Sequence, residues 1–187
     1  LRVSLTDRCN LRCSYCMPPE GLDWLPTEET LTDDEVVRLV RVGVERLGIR
    51  QVRFTGGEPL LRRGLEGIIE ACSHLSTDER SALDLALTTN ALGLAKRAQG
   101  LKDAGLNRVN ISLDSLDPEH FAAITRRDRL GDVLEGIEAA ARAGLSPIKV
   151  NALVLRGMNE ADLPDLVDYC LDRGIELRVI EQMPIGP

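Results

Sequence analysis

The strongest constraint on this chain is an alternation of two patterns. Short runs rich in β-branched residues, at 1–6, 51–55, 85–89, 108–113, 148–155 and 176–180, are separated by longer stretches whose apolar residues recur at helical spacing. Strand then helix, repeated in this way, implies right-handed crossovers and a parallel sheet. Helices are expected over 32–47, 65–72, 92–104, 130–143 and 161–173. The first is the best marked. Thr32 stands at its N-cap, Glu35 at the reciprocal capping position, and Val36, Leu39, Val40, Val44 and Leu47 form its apolar stripe. Gly105, Gly144 and Gly174 fall just past three of the others, where a left-handed cap ends a helix.

The strand faces decide between two kinds of parallel sheet. Arg2, Ser4 and Thr6 alternate with Val3 and Leu5, and Arg53 and Thr55 oppose Val52 and Phe54. Asn110, Ser112 and Asp114 alternate with Val109, Ile111 and Leu113, and Lys149 and Asn151 with Ile148 and Val150. A doubly wound sheet buries both faces, so its strands read as near-continuous apolar runs. Strands with one polar face fit a partial (β/α)6 TIM-like barrel instead, its apolar face under helices and its polar face lining an open lumen. With 187 residues, 43% of them hydrophobic, one domain over 1–187 is expected, and the scarcity of aromatics leaves its core to aliphatic side chains.

Directly after the first strand comes Asp7-Arg-Cys9-Asn-Leu-Arg-Cys13-Ser-Tyr-Cys16, a C-x3-C-x2-C spacing. In a (β/α) barrel this loop lies at the C-terminal edge of a strand, where chemistry is located. Thiolates suit iron–sulfur clusters, zinc and copper. Four cysteines close a cluster, whereas three leave one iron open to a ligand. A structural zinc site wants a fourth Cys or His, yet Cys72, Cys170, His74 and His120 are all distant in sequence and lie in or near helical patterns. Cys72 and Cys170 read as inert core thiols. An odd count of five cysteines, three of them crowded together, is not a disulfide framework, so a reducing, cytoplasmic setting is expected. A net charge of −7 and the lack of a bilayer-length apolar run argue against nucleic acid or membrane as partner.

Further polar motifs follow the later strands. Thr55-Gly-Gly-Glu-Pro59 follows the second, its glycines leaving backbone bare for close approach. Leu87-Thr-Thr-Asn90 and Asn110-Ile-Ser-Leu-Asp114 end the third and fourth with small hydrogen-bonding groups, Ser112 being the best ligand-binding candidate. Four cations, Arg2, Arg53, Lys149 and Arg178, interrupt four different strands. A charge pointing into a core is costly unless paired, so their shared explanation is a wet lumen that takes a polyphosphate or carboxylate. Arg126-Arg-Asp-Arg129 reads as a solvated loop.

The cysteine spacing, with Tyr15 before its last member, resembles the signature of the radical S-adenosylmethionine superfamily, in which three cysteines hold a 4Fe-4S cluster and S-adenosylmethionine chelates the open iron. The ordered set Thr6-Asp-Arg-Cys9, Thr55 to Arg62, Leu87 to Asn90, Ala104 to Ser115, Ile148 to Asn151 and Arg178-Val-Ile-Glu-Gln-Met-Pro184 narrows the resemblance to the GTP 3′,8-cyclase family of molybdenum cofactor (molybdopterin) biosynthesis. That resemblance implies a radical-type lyase that closes ribose carbon 3′ onto guanine carbon 8 of GTP. It implies Cys9, Cys13 and Cys16 as cluster ligands and Tyr15, Gly57, Glu58, Ser112 and Met183 as contacts of S-adenosylmethionine. Arg2, Arg53, Thr88, Lys149 and Arg178 are implied as GTP contacts, with an electron donor and a homodimer as further partners.

Two departures stand out. Ala91 occupies a position where the family has Gly, and the family's second 4Fe-4S cluster and Gly-Gly tail have no counterpart in these residues. The chain therefore reads as a core fragment, impaired alone in GTP cyclisation. Two other readings remain at this point: a radical S-adenosylmethionine peptide maturase, which gives no reason for the lumen cations, and a non-catalytic zinc or electron-transfer module, which leaves Gly-Gly-Glu-Pro unexplained.

Overall fold

The computed structural model describes residues 1–76 and 82–182. Its strands are β1 (Arg2–Ser4), β2 (Gln51–Thr55), β3 (Asp84–Thr89), β4 (Arg108–Ser112), β5 (Ile148–Val154) and β6 (Glu176–Glu181). The helices are α1 (Asp33–Leu47), α2 (Leu65–Ser73), α3 (Leu94–Asp103), α4 (Pro118–Thr125), α5 (Leu130–Arg142) and α6 (Leu163–Asp172). All neighbouring strands are parallel and lie in the order β1-β2-β3-β4-β5-β6. A doubly wound sheet reverses direction partway; a strictly sequential order has no reversal, so crossovers of one hand put the helices on one face and curl the sheet. β1 does not pair with β6, which leaves a partial barrel.

The sequence pattern explains the elements. In α1 the Thr32 hydroxyl accepts from the Glu35 amide while the Glu35 carboxylate accepts from the Thr32 amide, so two otherwise orphaned helix donors are satisfied. Gly105, Gly144 and Gly174 all have positive φ after α3, α5 and α6. The core lies between the apolar strand face and the helices. Phe54, Leu85, Leu87, Val109, Ile111 and Val150 are fully buried against Val40, Ile68, Leu94, Leu101 and Ile137. Each such side chain contributes about 1.5–3 kcal/mol by leaving water. Cys72 and Cys170 belong to this core.

Two expectations are corrected. Leu39 and Leu47 are exposed at 56% and 73%, because only Val36, Val40, Gly43 and Val44 face the sheet and the two leucines lie on the flanks of that stripe. α4 was not anticipated; it is two turns long, starts on Asp117-Pro118, and is capped by the Asp117 carboxylate accepting from the Glu119 and His120 amides.

Candidate active site

The cysteine loop leaves β1 and is fastened on two sides. On one, the Gly57 and Glu58 amides donate to the Thr6 and Arg8 carbonyls, both at 2.7 Å. A Cβ on Gly57 would meet the Arg8 carbonyl oxygen at 2.3 Å, and one on Gly56 would meet that of Thr6 at 2.3 Å with φ at +139°. The paired glycines thus admit the chain's own backbone while also lining the cavity beside the cysteines. On the other side, the Arg12 and Ser14 amides donate to the Thr125 and Ile124 carbonyls at the end of α4. The Arg126 guanidinium donates to the Arg12 and Met17 carbonyls at 2.8 and 3.0 Å. Arg126, expected in a solvated loop, is therefore a clasp on the cysteine loop.

Held in this way, Cys9, Cys13 and Cys16 face one cavity of about 220 Å³ whose wall also includes Tyr15, Gly57, Thr88, Asn90, Ser112 and Asp114. The three thiols are free. Burial pushes the Cys9 thiol up, and burial followed by the nearby Asp114 carboxylate pushes Cys13 up to about 12. Thiolates in this pocket thus need a positive group for compensation, which is what a metal centre supplies. Among the described residues no three His, Cys, Asp or Glu side chains converge about a point to hold one metal ion. Three thiols spread around one cavity, without a fourth protein ligand, fit the corners of an iron–sulfur cube with one iron open.

The surrounding side chains are placed by strand ends. The Tyr15 hydroxyl donates to Asp114 Oδ2 at 2.8 Å, while Asp114 Oδ1 accepts from the Leu153 amide at 2.8 Å. Burial raises both groups. Asn90 donates from Nδ2 to Asn10 Oδ1 at 2.8 Å, with Cys9 Sγ at 3.9 Å, and accepts from the Leu92 amide. Glu58 lies behind the wall rather than in it: it is 0% exposed, and its carboxylate accepts from the Leu60 amide, the Thr89 hydroxyl and the Asn90 amide at 2.7–2.9 Å. It ties the glycine turn to the end of β3. Met183 lies outside the described residues.

Below the cavity the polar strand face carries the cations. Arg53 precedes the cavity residue Thr55 by two positions on β2, about 7 Å along the same face. Register puts Arg2 beside Arg53, Arg53 beside Ala86 and Ala86 beside Arg108, so three arginines share one level. Lys149 and Arg178 stand on β5 and β6, where the Glu176 carboxylate bridges them at 2.6 and 2.8 Å. Arg108 is forked onto Asp84. Arg53 has a buried Nε with no partner, and so does Asn110 at Oδ1. Burial, then Arg108, Arg2 and Arg178, holds the Arg53 guanidinium below its ordinary value. Arg108 is paired with Asp84, Lys149 and Arg178 share Glu176, Arg2 is exposed at the edge strand, and Arg53 keeps one buried donor without a partner.

Sequence reasoning missed Asp84, Arg108 and Glu176 as members of this surface. Asp84 and Arg108 lie on the lumen parity of β3 and β4, so extending the strand alternation by one position would have found them. It also missed a half-buried cluster behind the site. Asp162 accepts from the Ser115 hydroxyl at 2.5 Å and pairs with His120 Nδ1 at 2.8 Å, joining α4 to the turn before α6. No local signal links three residues so far apart.

A model of the Radical SAM superfamily matches residues 3–170. The GTP 3′,8-cyclase of Corynebacterium glutamicum (strain ATCC 13032) is 63% identical over all 187 residues, which make up 50% of that protein. The GTP 3′,8-cyclase of Mycobacterium sp. (strain KMS) is 61% identical over 185 residues, 99% of this chain and 52% of that one. The chain thus spans about half the length of the curated relatives it matches. Among solved structures, Streptococcus suis SuiB bound to S-adenosylmethionine superposes with a TM-score of 0.77 at 19% identity, covering 99% of this chain and 39% of SuiB. Native anSMEcpe with bound AdoMet gives 0.73 at 18%, covering 97% and 50%. Since the family match runs from the first strand into α6 and takes in the whole cysteine loop, the chain belongs to the radical SAM superfamily, whose cofactors are a 4Fe-4S cluster and S-adenosylmethionine.

Proposed function

We propose that these residues form the radical-generating core of a GTP 3′,8-cyclase acting in molybdenum cofactor synthesis. The observation that carries the reading is the unpartnered, buried Arg53 Nε in a five-cation lumen directly beneath the cysteine cavity. A triphosphate presents the oxygens such a lumen lacks. A peptide substrate gives no reason for it. High identity to proteins named GTP 3′,8-cyclase supports the same substrate.

In this reading Cys9, Cys13 and Cys16 hold the cluster. Together with S-adenosylmethionine, the bound cluster supplies a one-electron cleavage that yields a carbon radical able to take hydrogen from the substrate. Tyr15, Gly57 and Ser112 orient the cofactor from the cavity wall, Met183 joins them by its motif, and Glu58 acts from behind by fixing the Gly57 turn. Arg2, Arg53, Lys149 and Arg178 take the triphosphate, and Thr88 contacts the nucleoside above it. An external electron donor would reduce the site. The C-terminal halves of the longer relatives would complete the guanine end.

Anaerobic reconstitution tests this. About three or four irons bound per chain, with reductive release of 5′-deoxyadenosine, is the expected result, lost in Cys13→Ala. GTP consumption is measured on the chain extended to the length of its relatives. A colourless protein that takes up zinc, or an iron-loaded extended chain that leaves GTP intact, rejects the reading.

A further inference from the structure

Lys149 Nζ and Arg178 Nε, at the far side of the lumen, share a single carboxylate. Glu176 Oε2 lies 2.6 Å from Lys149 Nζ and Oε1 lies 2.8 Å from Arg178 Nε, so one carboxylate bridges both. The sheet explains why. Lys149 and Glu176 are register partners across β5 and β6, and Arg178 follows Glu176 by two residues on the same strand face. Both cations hold the Glu176 carboxyl below its ordinary value. Yet the Glu176 side chain is 48% exposed, against 14% for Lys149, so the acid can swing into water while the lysine stays in the lumen. The opposite pair behaves differently: Arg108 and Asp84 form a two-pronged fork in which Arg108 is 14% exposed and Asp84 32%.

We propose that Glu176 is a displaceable internal counter-ion that guards Lys149 and Arg178, so that only an anion stronger than one carboxylate opens them. The inference rests on the lumen being a polyphosphate site and names the residue that sets its selectivity. A tethered carboxylate is always at high local concentration. A free monocarboxylate replaces it like for like and gains nothing. A polyphosphate brings more charge and more oxygens, and it can engage Arg53 and Arg2 at the same time as Lys149 and Arg178. The guard also offsets one of these two positive charges when the lumen is empty, which limits the like-charge repulsion around Arg53.

Calorimetric titration of the chain with sodium tripolyphosphate, and separately with sodium acetate, tests the proposal. Glu176→Gln should bind tripolyphosphate roughly twofold to fivefold more tightly, the range expected for removing an exposed ion-pair competitor. It should also bind acetate, to which the unaltered chain is silent. Glu176→Ser should shift both affinities in the same direction. Glu138→Gln, which removes the same charge from an exposed pair with Arg142 on α5, should leave both unchanged. Tripolyphosphate binding that is unchanged or weaker in both Glu176 variants overturns the counter-ion while leaving the polyphosphate lumen intact. Silence of every protein toward tripolyphosphate overturns both.

Discussion

A methyl group on Gly57 would stand 2.3 Å from the Arg8 carbonyl oxygen and 2.4 Å from that of Asp7. Backbone cannot yield as the end of a side chain can, so Gly57→Ala must push the cysteine loop away from β2. We expect a loss of about 2–4 kcal/mol in chemical denaturation, together with reduced iron uptake. Full iron loading at native stability would show that the loop has slack. Ala91 is the converse case. It is buried in the left-handed region at φ 64°, a conformation that a Gly would adopt without strain. The glycine motif was legible in the sequence, but its partner was not. Thr6, Asp7 and Arg8 are some fifty residues earlier, and only the pairing of β1 with β2 brings them together.

Among the elements, α4 does the most to hold the site and was the least visible beforehand. Only Phe121, Ile124 and Thr125 of its eight residues are buried, too short a stripe to read as a periodic pattern. Its position depends on the His120 contact with Asp162, and the groups facing His120 are Asp162, Asp117 and Glu119. The hydrogen bond to Asp162, then its charge, raises His120 above the ordinary histidine value. A raised folded-state value means the contact contributes fully below about pH 6.5 and is lost as pH climbs through the folded value. The melting temperature of His120→Gln should therefore fall below that of the unaltered protein near pH 5.5 and converge with it toward about pH 8.5. A gap that is constant or widens with pH would count against the ion pair. By contrast α1, with its reciprocal cap, was readable to within one residue, because a capping box is a purely local device.

Across the whole molecule, the open sheet gathers like charges into a lumen that is strained when empty. Arg53 carries this strain: its Nε is buried and unpartnered, and Arg2, Arg108 and Arg178 all repel it. Arg53→Met should stabilise the unliganded chain by about 1–3 kcal/mol while abolishing the protection that tripolyphosphate gives against denaturation. Destabilisation by the same change would mean that Arg53 is held by contacts other than a ligand.

Strand alternation, helix caps and the three-cysteine spacing are short-range patterns, and they determined by themselves the partial barrel, the register of its polar face and the residues fit to bind a cluster. Which cations are spent and which are free was decided only by the tertiary structure. Glu176 reaches Lys149, and Asp84 reaches Arg108, across strands whose sequence separation exceeds twenty residues, because parallel pairing aligns them. Parity shows which way a charge points; the partner it meets depends on the neighbouring strand.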